Sequence, residues 1–123
     1  MKKISKIKMM LIKRQANKIG YPILKIANRV LDRYREIVNN NEDKSDNEIV
    51  LKLSRDYHAG EVIEEDGKYI VVAYGCLHIK YDLINKEIFN ICNYRSYSDI
   101  KKGNIDFRVK HKLNNIYGLK ESK

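Results

Sequence analysis

Most of the predicted sheet comes from one stretch of the sequence, EVIEEDGKYIVVAYGCLHIKYDLINKEIFNIC, residues 61–92. Apolar and polar residues alternate through much of it with a period of two, as they do in strands that bury one face. Asp66-Gly67 is typical of a tight hairpin turn, and a glycine inside an apolar run, here Gly75, indicates a bulge or a break. The stretch therefore predicts strands at about 60–64, at 69–83 (bent or divided at Gly75) and at 87–93. The connections are too short for parallel crossovers, so the pairing is expected to be antiparallel.

The sequence before this stretch predicts two helices, a loop and one more strand. Residues 4–19 carry apolar side chains in two separate helical stripes, which predicts contacts on more than one side of the helix. Residues 22–38 place their apolar side chains on one helical face. Residues 39–48, NNNEDKSDNE, contain no apolar residue and are interpreted as an acidic loop. The alternating Ile49, Leu51 and Leu53 predict an opening strand.

The C-terminal segment fits two structures. A helix is favoured because Asn104 is a suitable N-cap and Gly118 a suitable C-cap around the apolar residues Ile105, Val109, Leu113 and Ile116. A strand is the alternative prediction, since the apolar Ile105, Phe107 and Val109 also alternate with polar residues.

These elements predict one α+β domain over residues 1–123. Its fold class is an N-terminal helical hairpin packed on an antiparallel meander sheet of three to five strands, completed by a C-terminal helix. The predicted parts are the helical hairpin (1–38), the acidic loop (39–48), the antiparallel sheet (49–93) and a basic C-terminal segment (94–123).

The charge of the chain is strongly basic and unevenly distributed. The net charge is +9, and residues 1–41 contain 11 Lys/Arg against 2 Asp/Glu. Residues 42–93 contain 6 against 11, and residues 94–123 contain 8 against 3. Clustered Lys and Arg attract polyanions, because they neutralise phosphates and release condensed counterions. This pattern predicts a cytoplasmic, non-enzymatic protein that binds nucleic acid (RNA or DNA) or a ribonucleoprotein.

Two groups of residues are the candidate contacts. The N-terminal cations are Lys2, Lys3, Lys6, Lys8, Lys13, Arg14 and Lys18. The C-terminal group interleaves cations with aromatic rings that stack on bases: Tyr94, Arg95, Tyr97, Lys101, Lys102, Arg108 and Lys112.

No residue pattern indicates catalysis, a metal site or a cofactor. The three histidines lack metal-ligand spacing, and the chain has no glycine-rich phosphate loop. Cys76 and Cys92 are interpreted as reduced, buried thiols, with a disulfide across neighbouring strands as the alternative. The apolar run at residues 9–12 is too short for a signal peptide, and no stretch approaches the ~20 apolar residues of a membrane span.

Two other functions are kept as alternatives. A protein-protein module is the first: a small inhibitor, immunity or anti-defence protein of a phage or mobile element. The second comes from a resemblance: GKYIVVAYGCLHIKYDL (67–83) and KEIFNICNYRSYSDI (86–100) resemble the strand run of the RelE/ParE family of small basic toxins. That resemblance implies a helical hairpin on a meander sheet and a ribonuclease activity. Only His78 and Arg95 fall where that family often places basic functional groups.

Overall fold

The computed structural model describes residues 5–94 and 100–119, and these form four helices and a five-stranded sheet. The helices are α1 (Lys6–Lys18), α2 (Asn28–Ile37), α3 (Asp46–Ala59) and α4 (Phe107–Tyr117). The strands are β1 (Lys25–Ile26), β2 (Glu61–Glu65), β3 (Tyr69–Tyr74), β4 (Leu77–Asp82) and β5 (Glu87–Asn93).

The sheet has the order β1-β5-β4-β3-β2. Strands β2 to β5 form an antiparallel meander, with the hairpin at Asp66-Gly67 and the division at Gly75 that the sequence predicts. Strand β1 adds a short parallel edge beside β5. The predicted α+β class, with N-terminal helices, a mostly antiparallel sheet and a C-terminal helix, is confirmed.

The prediction of one helix over residues 22–38 is wrong in its first part. Residues 23–27 are not helical, because tertiary contacts satisfy their backbone groups instead. Lys25 and Ile26 pair with β5, the Ala27 amide donates to the Ile88 carbonyl, and the Leu24 amide donates to Ser54 Oγ at 2.9 Å. Only Asn28–Ile37 forms α2.

The predicted strand at Ile49, Leu51 and Leu53 is also wrong, because these residues belong to α3. The Ser45 hydroxyl accepts from the Glu48 amide and caps this helix, so the acidic loop ends at residue 45. All three side chains are fully buried because α3 is covered on two sides. The apolar residues therefore recur at every second position, which is the pattern of a half-buried strand.

Two apolar clusters flank α3. The first lies between the sheet and helices α2 and α3, and it contains Ile49 and Leu53. The second lies on the far side, where Leu51 meets α1 and α4. Helix α4 packs on α3, and α1 packs on α4.

Helix α2 covers the part of the β5 edge that β1 leaves open. Arg29 donates to the Phe89 carbonyl at 2.7 Å and Arg33 to the Ile91 carbonyl at 2.9 Å. The spacing fits because four helical residues rise about 6 Å, close to the advance of two strand residues. An open strand edge is a template for pairing with other chains, and these guanidinium groups occupy its carbonyls.

The C-terminal helix forms as predicted, with one difference at its start. The N-cap is Asp106, whose carboxylate accepts from the amides of Arg108 and Val109, and not Asn104. Gly118 adopts the left-handed conformation (φ 72°) and ends the helix.

Candidate functional site

Helix α1 carries five exposed cations, distributed around the sides that face solvent. Its N-cap is Ser5, and its buried side, Met9, Ile12 and Ala16, packs against Leu113 and Tyr117 of α4. The helix contains no acidic residue. Its five cations are all exposed: Lys6, Lys8, Lys13, Arg14 and Lys18.

These five side chains differ from several cations elsewhere in the described structure, which pair with carboxylates. Arg35 pairs with Asp32 and Asp46, and Lys52 pairs with Glu48. Within residues 5–94 and 100–119, no carboxylate lies within 4.0 Å of a cationic nitrogen of α1. The positive charge of α1 is therefore directed at solvent rather than neutralised by the fold.

Helix α4 extends the same surface. It also contains no acidic residue, and its outward face carries Arg108, His111 and Lys112. Lys112 Nζ lies 6.0 Å from the ring centroid of Tyr21, just beyond the C-terminal end of α1. A Cβ placed on Gly118 would meet the Lys8 side chain at 3.8 Å, so the two helices run in opposite directions along their contact.

A groove of about 460 Å³ lies along the α1–α4 contact. Its apolar lining is Leu11, Ile12 and Ile116, and its polar lining is Lys8, Arg14, Gln15 and Lys18. An apolar floor with a cationic rim suits a ligand that has both an apolar part and a negative charge.

The structure does not bring all the predicted contacts to this surface. Lys101 Nζ lies 3.8 Å from Glu61 of β2, and its carbonyl contacts the His78 ring at 2.7 Å. Lys102 is exposed in the same segment. The Tyr94 ring packs edge-on against His78 with centroids 4.8 Å apart. Lys2, Lys3, Arg95 and Tyr97 lie outside the described residues.

His78 therefore belongs to a different part of the molecule. The register places it opposite Ala73 and Cys92, on the sheet face away from Ile79 and the first apolar cluster. Its Nε2 contacts a backbone carbonyl, which makes that nitrogen a donor.

The sequence interpretation missed Phe107, which is 67% exposed in the first turn of α4. Lys110 Nζ lies 5.7 Å from the Phe107 ring centroid and 5.8 Å from that of Tyr74. A signal was present, because Phe107 falls outside the helical stripe formed by Ile105, Val109 and Leu113. A phenylalanine outside the apolar stripe of a helix is directed towards solvent.

His58, near the end of α3, makes folding depend on pH. Its Nε2 donates to the Pro22 carbonyl at 2.8 Å, and the rings of Tyr21 and Tyr57 pack edge-on against the imidazole. Burial lowers the pKa of this imidazole, although the bond to Pro22 acts in the opposite direction.

We expect stability to fall as the pH drops from 7.5 to 5.5. Because its pKa is lowered in the folded state, His58 is protonated at a lower pH there than in the unfolded chain, where its pKa is the ordinary value of about 6.5. The free energy contributed by the neutral imidazole is thus present above that pH and lost below it, with a slope of at most about 1.36 kcal/mol per pH unit. Urea unfolding at several pH values should give a flatter profile for His58→Gln. Equal slopes for the two proteins would contradict this role.

No group of three or more His, Cys, Asp or Glu residues in the described part of the chain is arranged to hold a metal ion. Cys76 and Cys92 are free thiols. Among the helices described here, none has the length and apolar character needed to cross a bilayer.

No family model matches the chain, and neither the curated proteins nor the solved structures provide a match.

Proposed function

We propose that this chain is a non-enzymatic protein that binds nucleic acid, free or within a ribonucleoprotein, through helices α1 and α4. The observation that carries the proposal is the packing of two acid-free helices against each other, which places Lys8, Arg14 and Lys18 of α1 at the groove that Ile116 of α4 also lines. Lys and Arg side chains in such a surface neutralise phosphates without first breaking internal ion pairs.

The composition of the surface supports a polyanion over a small anion. Five cations lie along the 13 residues of α1, which extend about 20 Å. Repeated phosphates along a backbone can contact several cations spread over this length, whereas a single small anion would contact one or two side chains. In the cytoplasm, where the sequence predicts this protein to lie, nucleic acid is an abundant polyanion.

Salt dependence provides the test. We expect a labelled oligonucleotide to bind at low salt, with log affinity falling linearly against log salt concentration. The double variant Lys8→Gln/Lys18→Gln should reduce the magnitude of this slope by about 1–2 and weaken binding roughly tenfold, because two phosphate contacts are lost. Fluorescence anisotropy across a salt series measures both quantities.

The matched control removes two lysines that the fold already pairs. Lys25 lies 3.7 Å from Glu87, and Lys44 lies within 4.0 Å of Asp43 and Glu48. The variant Lys25→Gln/Lys44→Gln carries the same net charge as the test variant and should keep the original slope. The proposal fails if neither RNA nor DNA binds at low ionic strength.

One observation favours a second candidate, a protein-protein module. The outward face of α1 carries Ile7, Met10 and Leu11, which are 68%, 52% and 55% exposed. Apolar side chains grouped on one helical face are a common feature of protein interfaces. A small inhibitor or anti-defence protein would use this face to dock on its target.

A further inference from the structure

We infer that the nucleic-acid ligand is single-stranded and that Phe107 is a stacking platform for one of its bases. This inference rests on the proposed function and adds to it the class of nucleic acid. The observation behind it is an exposed aromatic ring at the border of the cationic surface.

Phe107 is held in a position that suits stacking. It follows the N-cap Asp106 directly, so the first turn of α4 fixes its backbone. Lys110, one turn later, lies between the rings of Phe107 and Tyr74 and restrains the phenylalanine from one side. Phe107 is 67% exposed as a residue, which leaves a ring surface available for a base.

Phosphate contacts are available on the same helix. At 100° per residue, the exposed side of α4 runs from Phe107 through His111 and Arg108 to Lys112, and Ile116 then lines the groove beside α1. A strand whose base stacks on Phe107 therefore has cations next to its backbone on the way to the groove.

The exposed ring distinguishes a single strand from a duplex. In a duplex the bases are stacked on one another, so the grooves expose their edges but their faces are covered and cannot stack on a side chain. A single strand presents unstacked bases that pack on aromatic rings with little dependence on sequence. A duplex bound to this surface would leave Phe107 without a partner.

The test uses three ligands with equal numbers of phosphates: a single-stranded 12-mer, the same strand with abasic residues, and a short duplex. We expect the intact protein to bind the single strand about tenfold more tightly than either of the others, within the range that one stacked base provides. Phe107→Ala should abolish this advantage and leave the other two affinities within twofold. The substitution is compatible with folding because the side chain is largely exposed.

A second variant reports on stacking directly. The chain contains nine tyrosines but no tryptophan, so Phe107→Trp introduces a single tryptophan that can be excited selectively. The tryptophan emission should be quenched by the intact single strand but not by the abasic strand. The affinity of this variant for the intact single strand should equal that of the original protein. Ile84→Trp, at a 75% exposed site in the β4–β5 turn, is the matched control and should not be quenched.

The outcomes separate the two proposals. If all three ligands bind equally well, or if Phe107→Ala weakens all three alike, the stacking inference is overturned while phosphate binding stands. Absence of binding to every ligand at low salt overturns the proposed function as well. If Phe107 serves instead to contact a protein, Phe107→Ala will leave the single-strand affinity unchanged, and this too overturns the inference.

Discussion

Replacing Asp56 with alanine is expected to lower the free energy of unfolding by about 3–5 kcal/mol, because the change leaves a charged guanidinium in the interior without its carboxylate. Asp56 Oδ1 accepts hydrogen bonds from Arg55 Nε at 3.0 Å and Nη2 at 2.9 Å. The Asp56 side chain is 3% exposed and that of Arg55 is 12% exposed. Equilibrium unfolding in urea measures the loss.

The two ions depend on each other. Burial raises the pKa of the Asp56 carboxyl, and the Arg55 guanidinium opposes that rise. The pKa of Arg55 is itself raised: burial, the largest single effect, lowers it, but the charge and hydrogen bond of Asp56 together with Tyr74 and Tyr34 outweigh burial. Arg55→Met alone should therefore also destabilise the fold, since it leaves a carboxylate buried and unpaired.

The double variant Arg55→Met/Asp56→Leu is the control for this interpretation. Removing both charges together removes the desolvation of both, so the double variant should be considerably more stable than the sum of the single losses implies. Single losses below about 1 kcal/mol would contradict the account, because they would mean that water already solvates the pair.

This pair also connects the core to the proposed binding surface. Arg55 Nη1 donates to Asn114 Oδ1 of α4 at 2.9 Å, and Asn114 is buried. Helix α4 carries Phe107, Arg108 and Lys112, so its attachment to α3 determines where these side chains lie. Binding measurements on Asp56→Ala are informative only at temperatures where that variant is still folded.

The sequence was sufficient for the meander and for helices α1 and α4, but not for strand β1 and helix α3. The meander was predictable because each strand ends at a local signal, such as Asp66-Gly67 or Gly75. Strand β1 and helix α3 were not, because their structure is decided by neighbours distant in the chain. Apolar residues at 49, 51 and 53 fit either a strand with one buried face or a helix buried on two sides. The local sequence does not determine which elements will pack against them.

The candidate site was only partly predictable, because it too depends on contacts between residues distant in the chain. The absence of acidic residues from α1 and α4 is a property of the sequence. Their proximity depends on Met9 and Ile12 meeting Leu113 and Tyr117, about a hundred residues later. Lys101, which is close to α4 in sequence, instead turns to the sheet and pairs with Glu61.

Substituting Gly103 with alanine is expected to lower the free energy of unfolding by about 3 kcal/mol, through overpacking against rigid backbone. Gly103 and Gly75 exchange two backbone hydrogen bonds, of 3.1 and 2.9 Å. A Cβ on Gly103 would overlap the carbonyl group of Ala73 in β3, which a central strand cannot move aside. The segment that leads into α4 would have to lift away from the sheet.

Several hydrogen bonds hold that segment, so the loss of stability should exceed the contribution of the Gly75–Gly103 bridge alone. The Asn104 amide donates to Glu61 Oε1 at 2.9 Å, and the Asp106 amide donates to the Ala59 carbonyl at 2.7 Å. Lifting Gly103 strains both contacts and loosens the start of α4, where Phe107 lies. Hydrogen exchange in the first turn of α4 should rise in the variant even where the rest of the protein remains folded.

Gly67→Ala separates this steric effect from the conformational preference of glycine. Gly67 has φ +86° with no atom within 4 Å of an added Cβ, so alanine there meets backbone strain of about 1 kcal/mol and no clash. Gly103 has the reverse properties. Its backbone conformation is one that other residues adopt, but a Cβ added there would clash. A loss for Gly103→Ala no greater than that for Gly67→Ala would show that the segment approaches β3 less closely than described, and the position of Phe107 would lose its structural support.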